Sequence, residues 1–193
     1  MILRRLLRVY SQQVQSKPFQ TQILTSALLW GVGDAYAQQI SASSPYDGSR
    51  TVYNAVYGGF FNGTIGHLWY QKLDAVASML LKHQSRRVFL ATKVAADSLV
   101  FGPVHVAAYF MALSLVEHGG VWEIAVEKTK KEFLKTFAVE LAVWPAVQTV
   151  NFAYVPVRYQ LLVVNCVTIL DAAFMSWMQH RLDTGNSSSS SSS

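Results

Sequence analysis

SLVFGPVHVAAYFMALSLV, residues 98–116, holds no charged side chain and ends on Glu117-His118-Gly119-Gly120, a break in any helix. A helix crosses a hydrocarbon core of roughly 30 Å with about 20 mostly apolar residues, so this stretch has the length of a membrane span. Residues 18–33, 51–71 and 141–157 repeat the signature and are likewise free of charge. Charged residues make up 14% of the 193, so an even scatter would place one about every seven positions, and gaps of this length are a pattern.

The composition agrees. Hydrophobic residues reach 51%, mean hydropathy is +0.23, and the charged fraction is about half the roughly 25% of an ordinary soluble domain. This excludes a disordered chain and a charge-solvated coiled coil. Gly, Asn, Gln, His and Thr interrupt the apolar stretches, so each helix needs a face turned away from lipid. The expected fold is all-α, an integral membrane helical bundle of about four transmembrane helices plus one amphipathic interfacial helix. The spans fall at about residues 18–40, 51–68 with helix continuing to 81, 91–116, and 157–178. Residues 121–137 lace Glu and Lys at four-residue spacing, as in Glu127 and Lys131, and read as the interfacial helix. Residues 138–156, with Glu140, Pro145, Gln148, Asn151 and Pro156, read as a broken polar segment, since both prolines free backbone carbonyls.

Residues 1–17 form a basic amphipathic arm, with Leu3, Leu6, Leu7 and Tyr10 beside Arg4, Arg5 and Arg8, and no acid occurs before Asp34. The arm resembles an import-type presequence, and equally a basic juxtamembrane anchor. Residues 18–182 are expected to be a single bundle domain and residues 183–193, ending in seven serines, a disordered tail. The net charge of +5 does not point to nucleic acid, because the cations flank apolar stretches and share no face with stacking aromatics. Lys82, Arg86, Arg87 and Lys93 read as a loop cluster on the side of both termini. Cys166 cannot form an internal disulfide, being the single cysteine, and reads as a buried packing residue.

The polar residues inside apolar helices carry the functional signal, because a carboxylate in hydrocarbon costs a few kcal/mol unless it faces the bundle interior. Asp34, Asp74, Asp97 and Asp171 qualify. Asp34 stacks between Trp30 and Gln38 on one helical face, Asp97 lines up with Phe101 and His105, and Glu140, Trp144, Gln148 and Asn151 share another face. The structural reading of each is a closed hydrogen-bond network; the functional one is a solute path. Ala55, Gly59 and Gly63 recur at four-residue spacing with Gly66 close to the stripe, which lets a second helix approach. That stripe serves packing within one bundle or self-association into a homo-oligomer. Trp69, Tyr70 and Trp177 read most simply as interface-belt aromatics. No His-Glu-x-x-His spacing, nucleophile elbow, phosphate loop or dinucleotide fingerprint occurs, so neither catalysis nor a cofactor or metal is expected.

Several of these residues together resemble a known family. They are Trp30-Gly-Val-Gly-Asp34 with Gln38-Gln39, Trp69-Tyr70 with Leu73-Asp74, Lys93 with Asp97 and Pro103, and most specifically Trp144-Pro-Ala-Val-Gln148-x-x-Asn151-Phe152-x-x-Val155-Pro156, extended through Ser176-Trp177. The chain resembles the Mpv-seventeen and peroxisomal membrane protein 22 family over about residues 10–182. It departs from the family pattern at Ser98, Arg158 and Asp171. The resemblance implies a multi-spanning, channel-like protein of the mitochondrial inner membrane, or alternatively of the peroxisomal membrane, passing small hydrophilic solutes. For the mitochondrial members it also implies a tie to metabolite homeostasis and mitochondrial DNA maintenance. The combined expectation is a pore lined by Asp34, Asp97, Gln148 and Asn151, with Asp74 and Arg158 near its mouths. Its partners are the lipid bilayer and small polar solutes. The rival is a non-conducting membrane scaffold.

Overall fold

Pro18 opens a long helix where its missing N–H costs nothing, and the chain stays helical from there to Ser41. The computed structural model describes residues 2–41 and 45–170. The expectations for Asp171, Trp177, Arg181 and the serine-rich tail lie outside them. Every regular element among the described residues is helical: α1 (Ile2–Ser16), α2 (Pro18–Ser41), α3 (Gly48–Tyr57), π1 (Gly58–Gly66), α4 (His67–Leu80), α5 (Arg86–Ala96), π2 (Asp97–Phe101), α6 (Gly102–Glu117) and α7 (Trp122–Tyr154). A further helix, α8, is described over Val157–Leu170.

The caps follow local chemistry. Asp47 accepts from the amides of Ser49 and Arg50 at the start of α3, and Ser85 accepts from the Val88 amide at the start of α5. Gly119 and Gly120 take φ of 62° and 88° between α6 and α7, the left-handed region that glycine enters without a Cβ penalty. At π2 the Gly102 N–H reaches back five residues to the Asp97 carbonyl. Pro103 follows immediately and has no N–H to continue the regular ladder, which accounts for a wider turn at this point.

The described residues divide into two compact units, one taken from Met1–His67 and the chain from Leu161 onward, the other from Leu68–Gln160. In the first, α2 packs against α3 and π1. The approach is close: a Cβ built on Gly63 would sit 2.5 Å from the Ile23 Cα, and one on Gly59 3.0 Å from the Ala27 Cβ. Ala55 meets Gly31 in the same way, at 3.2 Å from a Cβ built there, and Gly66 is buried. The small-residue stripe therefore packs one helix against another inside this unit. Gly33 takes Ile169 of α8 against α2. In the second unit, α7 packs against α5, π2 and α6.

Polarity is inverted relative to a soluble protein. The largest fully buried side chains are all polar, Lys93, Gln22, Gln148, Gln160, Asn151 and Asn165 among them, while Leu24, Leu28, Phe60, Met79 and Leu134 are exposed.

Three expectations change. Among the described residues one helix, Arg86–Glu117, is long and apolar enough by itself to cross a membrane. The other long helices carry buried polar residues, Gln22, Ser26 and Asp34 on α2 and Thr129, Gln148 and Asn151 on α7 among them, which lower their mean hydropathy. No boundary falls at residue 138: α7 runs 33 residues straight through Pro145. Pro145 deprives the Leu141 carbonyl alone of its usual donor, the Thr149 hydroxyl donates to the Pro145 carbonyl at 2.7 Å, and the break comes instead at Val155, whose extended backbone is what a following proline favours. Cys166 is exposed, because Leu161 and Asn165 take the buried face of α8 and residue 166 points about 100° away.

Candidate functional site

Each unit holds one buried polar cluster. In the first, Asp34 of α2 is 7% exposed and surrounded by donors. The Arg50 Nε lies 2.8 Å from Oδ1 and the Asn54 Nδ2 donates to the same oxygen at 3.1 Å. The Gln38 Nε2 and the Thr51 hydroxyl donate to Oδ2 at 2.7 and 2.8 Å. Gln38 also accepts from the Asp47 amide at 2.7 Å, tying the end of α2 to the cap of α3. The face that Asp34 occupies extends back along α2 at four-residue spacing. The Trp30 Nε1 donates to Asn165 Oδ1 at 3.2 Å, and Asn165 Nδ2 donates to the Ser26 hydroxyl at 2.7 Å. Asp34 is thus a neutralised carboxylate, paired with a cation and saturated with hydrogen bonds.

The second cluster joins three helices. Asp97, at the start of π2, accepts from Trp69 Nε1 of α4 at 2.8 Å and from Gln148 Nε2 of α7 at 2.6 Å. Gln148 also donates to the Tyr70 hydroxyl at 2.8 Å, and its own Oε1 accepts from Asn151 Nδ2 at 2.9 Å. Asn151 donates onward to the Gln160 carbonyl at 3.2 Å, and Gln160 Nε2 to the Val155 carbonyl at 3.1 Å. Phe101 of π2 stacks on Trp69 and on His105. Both oxygens of Asp97 accept from neutral N–H donors, an arrangement that suits an ionised carboxylate.

Lys93 of α5 belongs to this cluster and not to a surface loop. It is 1% exposed, pairs with Asp74 Oδ1 at 2.6 Å, and sets its ammonium 4.6 Å above the Phe152 ring. The sequence holds a sign of this, since Lys93 precedes Asp97 by four residues and so shares its helical face. Trp69 and Tyr70 also depart from the belt reading: they turn inward as donor and acceptor. Asp97, Gln148 and Asn151 are brought into one chain of hydrogen bonds. Asp34 sits in the other unit. Asp74 is one third exposed, and Arg158 is exposed with its guanidinium 5.0 Å from the Tyr159 ring.

The profile of the Mpv17 / PMP22 family matches residues 114–176. The protein SYM1 of Saccharomyces cerevisiae is 31% identical over 182 residues, covering 92% of this chain and 92% of the yeast protein. The chain belongs to the Mpv17 / PMP22 family. SYM1 of Debaryomyces hansenii is 35% identical over 83% of this chain and 82% of its own length. The mitochondrial inner membrane protein Mpv17 of Caenorhabditis briggsae is 26% identical over 93% and 94%. No solved structure gives a significant match. As a member of this family the chain is a protein of the mitochondrial inner membrane, and the exposed leucines and phenylalanines of its helices are the surface such a location requires.

Proposed function

We propose that the protein is a membrane channel for small hydrophilic solutes that contributes to mitochondrial metabolite homeostasis. The observation that supports this is the inverted polarity, with Gln, Asn, Asp and Lys side chains buried inside helices whose outer faces are apolar. In this reading the chain crosses the membrane about four times. The crossings are α2 at 24 residues, or about 36 Å; the continuous helix from α3 through π1 to α4; Arg86–Glu117; and the segment that begins with α8. The Glu- and Lys-laced first half of α7 lies at the membrane surface. Asp97, Gln148 and Asn151 of the second unit line the path, with Asp74 and Arg158 at its mouths, and Asp34, closed off by its four donors in the first unit, is left out of it. Interior carboxylates hydrate the path and bias it toward cations.

Purified protein in liposomes tests this by solute flux. Flux above that of empty vesicles is expected, and in planar bilayers Asp97→Asn lowers the preference for cations. Flux equal to empty vesicles refutes the channel. The second reading, a non-conducting scaffold, draws on the closed hydrogen bonding of Asp34, whose two oxygens are each bound twice.

A further inference from the structure

Where α7 gives way to α8, two buried acceptors are left without a partner among the described residues. Asn151 Oδ1 and Gln160 Oε1, on residues 0% and 1% exposed, have no hydrogen-bond partner among the described residues. Their orientation is fixed, because the amide nitrogen of Asn151 is committed to Gln148 Oε1 and the Gln160 carbonyl, and that of Gln160 to the Val155 carbonyl. Turning either amide would set oxygen against oxygen. Buried acceptors are costly to leave unmade, so this pair calls for a donor or a cation.

Electrostatics distinguishes the two. Lys93 supplies one positive charge against the carboxylates of Asp74 and Asp97, and the further cation at this turn, Arg86, is exposed and screened by water, so the interior keeps an excess of negative charge. The carbonyl end of the 33-residue α7 adds partial negative charge at the same place. Pro156 has no N–H to offer the Phe152 carbonyl four residues back. Arg86 reaches the terminal turn at the Ala153 carbonyl, 2.8 Å away, from the exposed side. Among the described residues no group of three or more His, Cys, Asp or Glu converges, which is unlike a transition-metal site. Uncharged amide oxygens, with the carboxylate of Asp97 one residue further off across Gln148, suit a compact monovalent cation.

We propose that the junction of α7 and α8 binds one such cation, an alkali ion or a protonated primary amine, through Asn151 Oδ1 and Gln160 Oε1, favoured by the field of Asp97 on the far side of Gln148. The site does not depend on conduction. A chain that binds the cation and passes no solute keeps this inference and loses the channel reading, and the reverse outcome separates them equally.

The test is the melting temperature of the full chain in nonionic detergent at constant ionic strength. N-methylglucamine chloride, whose cation is too bulky to enter, is replaced in turn by potassium, sodium and methylammonium chloride. A saturable rise is expected with at least one of the three, and which one identifies the ligand as an alkali ion or an amine. Asp97→Asn and Gln160→Met are expected to raise the half-saturating concentration at least tenfold. Lys93→Met, which removes a repelling charge, is expected to lower it. Equal melting in all four salts overturns the proposal and leaves the oxygens to buried water. A rise that both Asp97→Asn and Gln160→Met leave unchanged places the cation elsewhere and overturns it too. Where a variant does not fold, equilibrium dialysis of the wild-type chain against radioactive rubidium or methylammonium decides: retention near one cation per chain supports the site, and no retention of either refutes it.

Discussion

Gly63→Ala probes the closest approach of a glycine to the backbone of a neighbouring helix in the first unit. A Cβ built there would lie 2.5 Å from the Ile23 Cα, 3.0 Å from the Ile23 N and 3.2 Å from the Gln22 carbonyl oxygen, all backbone atoms that no rotamer change can move. Carbon atoms rest about 3.5–4.0 Å apart, so α2 must retreat by about 1 Å, and a gap of that size forfeits a quarter to a half of each dispersion contact it opens. The loss spreads along the face, because Gly59 against Ala27 and Gly58 against Trp30 belong to the same contact. Overpacking of this kind costs about 1–3 kcal/mol, and the backbone location puts the expected value near the top, a fall of roughly 30- to 150-fold in the folding equilibrium at 1.4 kcal/mol per decade. Reversible unfolding in mixed micelles, followed by circular dichroism, measures it. Gly102→Ala is the control: its Cβ would meet the Asp97 carbonyl oxygen and Phe137 Cε2 at 3.6 Å each, ordinary contact. That variant is expected to match or slightly exceed wild type, since alanine favours helix by about 1 kcal/mol. Equal stability of the two variants would refute the close approach of α2 and π1.

Lys93→Ala strands Asp74 and removes a buried ammonium, and is expected to destabilise by about 3–5 kcal/mol. In a double-mutant cycle, Lys93→Met with Asp74→Leu is expected to recover part of that loss, and simple additivity of the two single variants would argue against the pair. Arg50 has a side chain 54% exposed, so its pair with Asp34 is worth under about 1 kcal/mol. Asp34→Ala removes the acceptor of the Thr51 hydroxyl and one of the acceptors of the Asn54 amide, and is expected to cost about 2–3 kcal/mol, so chemical denaturation should rank it well below Arg50→Ala. Cys166 is the single cysteine and lies exposed on an apolar helix. In intact inner-membrane vesicles a charged maleimide is expected to leave it unlabelled until detergent is added, because lipid excludes both the reagent and the thiolate; rapid labelling without detergent would place this face of α8 in water.

The hydrophobic gaps made the helices legible, since a charge-free stretch of membrane length has few other uses, and α2 and Arg86–Glu117 start and stop within a few residues of where Pro18, the basic residues and the Gly119-Gly120 break place them. The inward turn of Asp34 and Asp97 was also legible, because a carboxylate on such a helix has one tolerable direction. Periodicity found the stack of Trp30, Asp34 and Gln38 and could have continued it back to Ser26 and Gln22, both buried on the same face. What stayed hidden needs a second helix. Nothing local marks Trp69 and Tyr70 as partners of Asp97 and Gln148 instead of belt residues. The path of α7 through Pro145 rests on the neighbours that hold it, since one lost backbone bond is small against the packing of a long helix.

The two aspartates show why residue type and helical spacing stop short of chemistry. Asp34 and Asp97 are equally buried on apolar helices. Arg50, sixteen residues downstream of Asp34, folds back onto it and cancels its charge at 2.8 Å. The cation nearest Asp97 along the chain, Lys93, is drawn instead to Asp74 on α4. Asp97 is left to the neutral donors Trp69 and Gln148, which stabilise a negative charge without removing it. An ion pair seen from a distance is a dipole whose field falls off faster than that of a single charge. The carboxylate whose charge stays uncancelled by a direct ion pair is therefore Asp97, and in the proposed channel it is Asp97→Asn, not Asp34→Asn, that is expected to change ion preference.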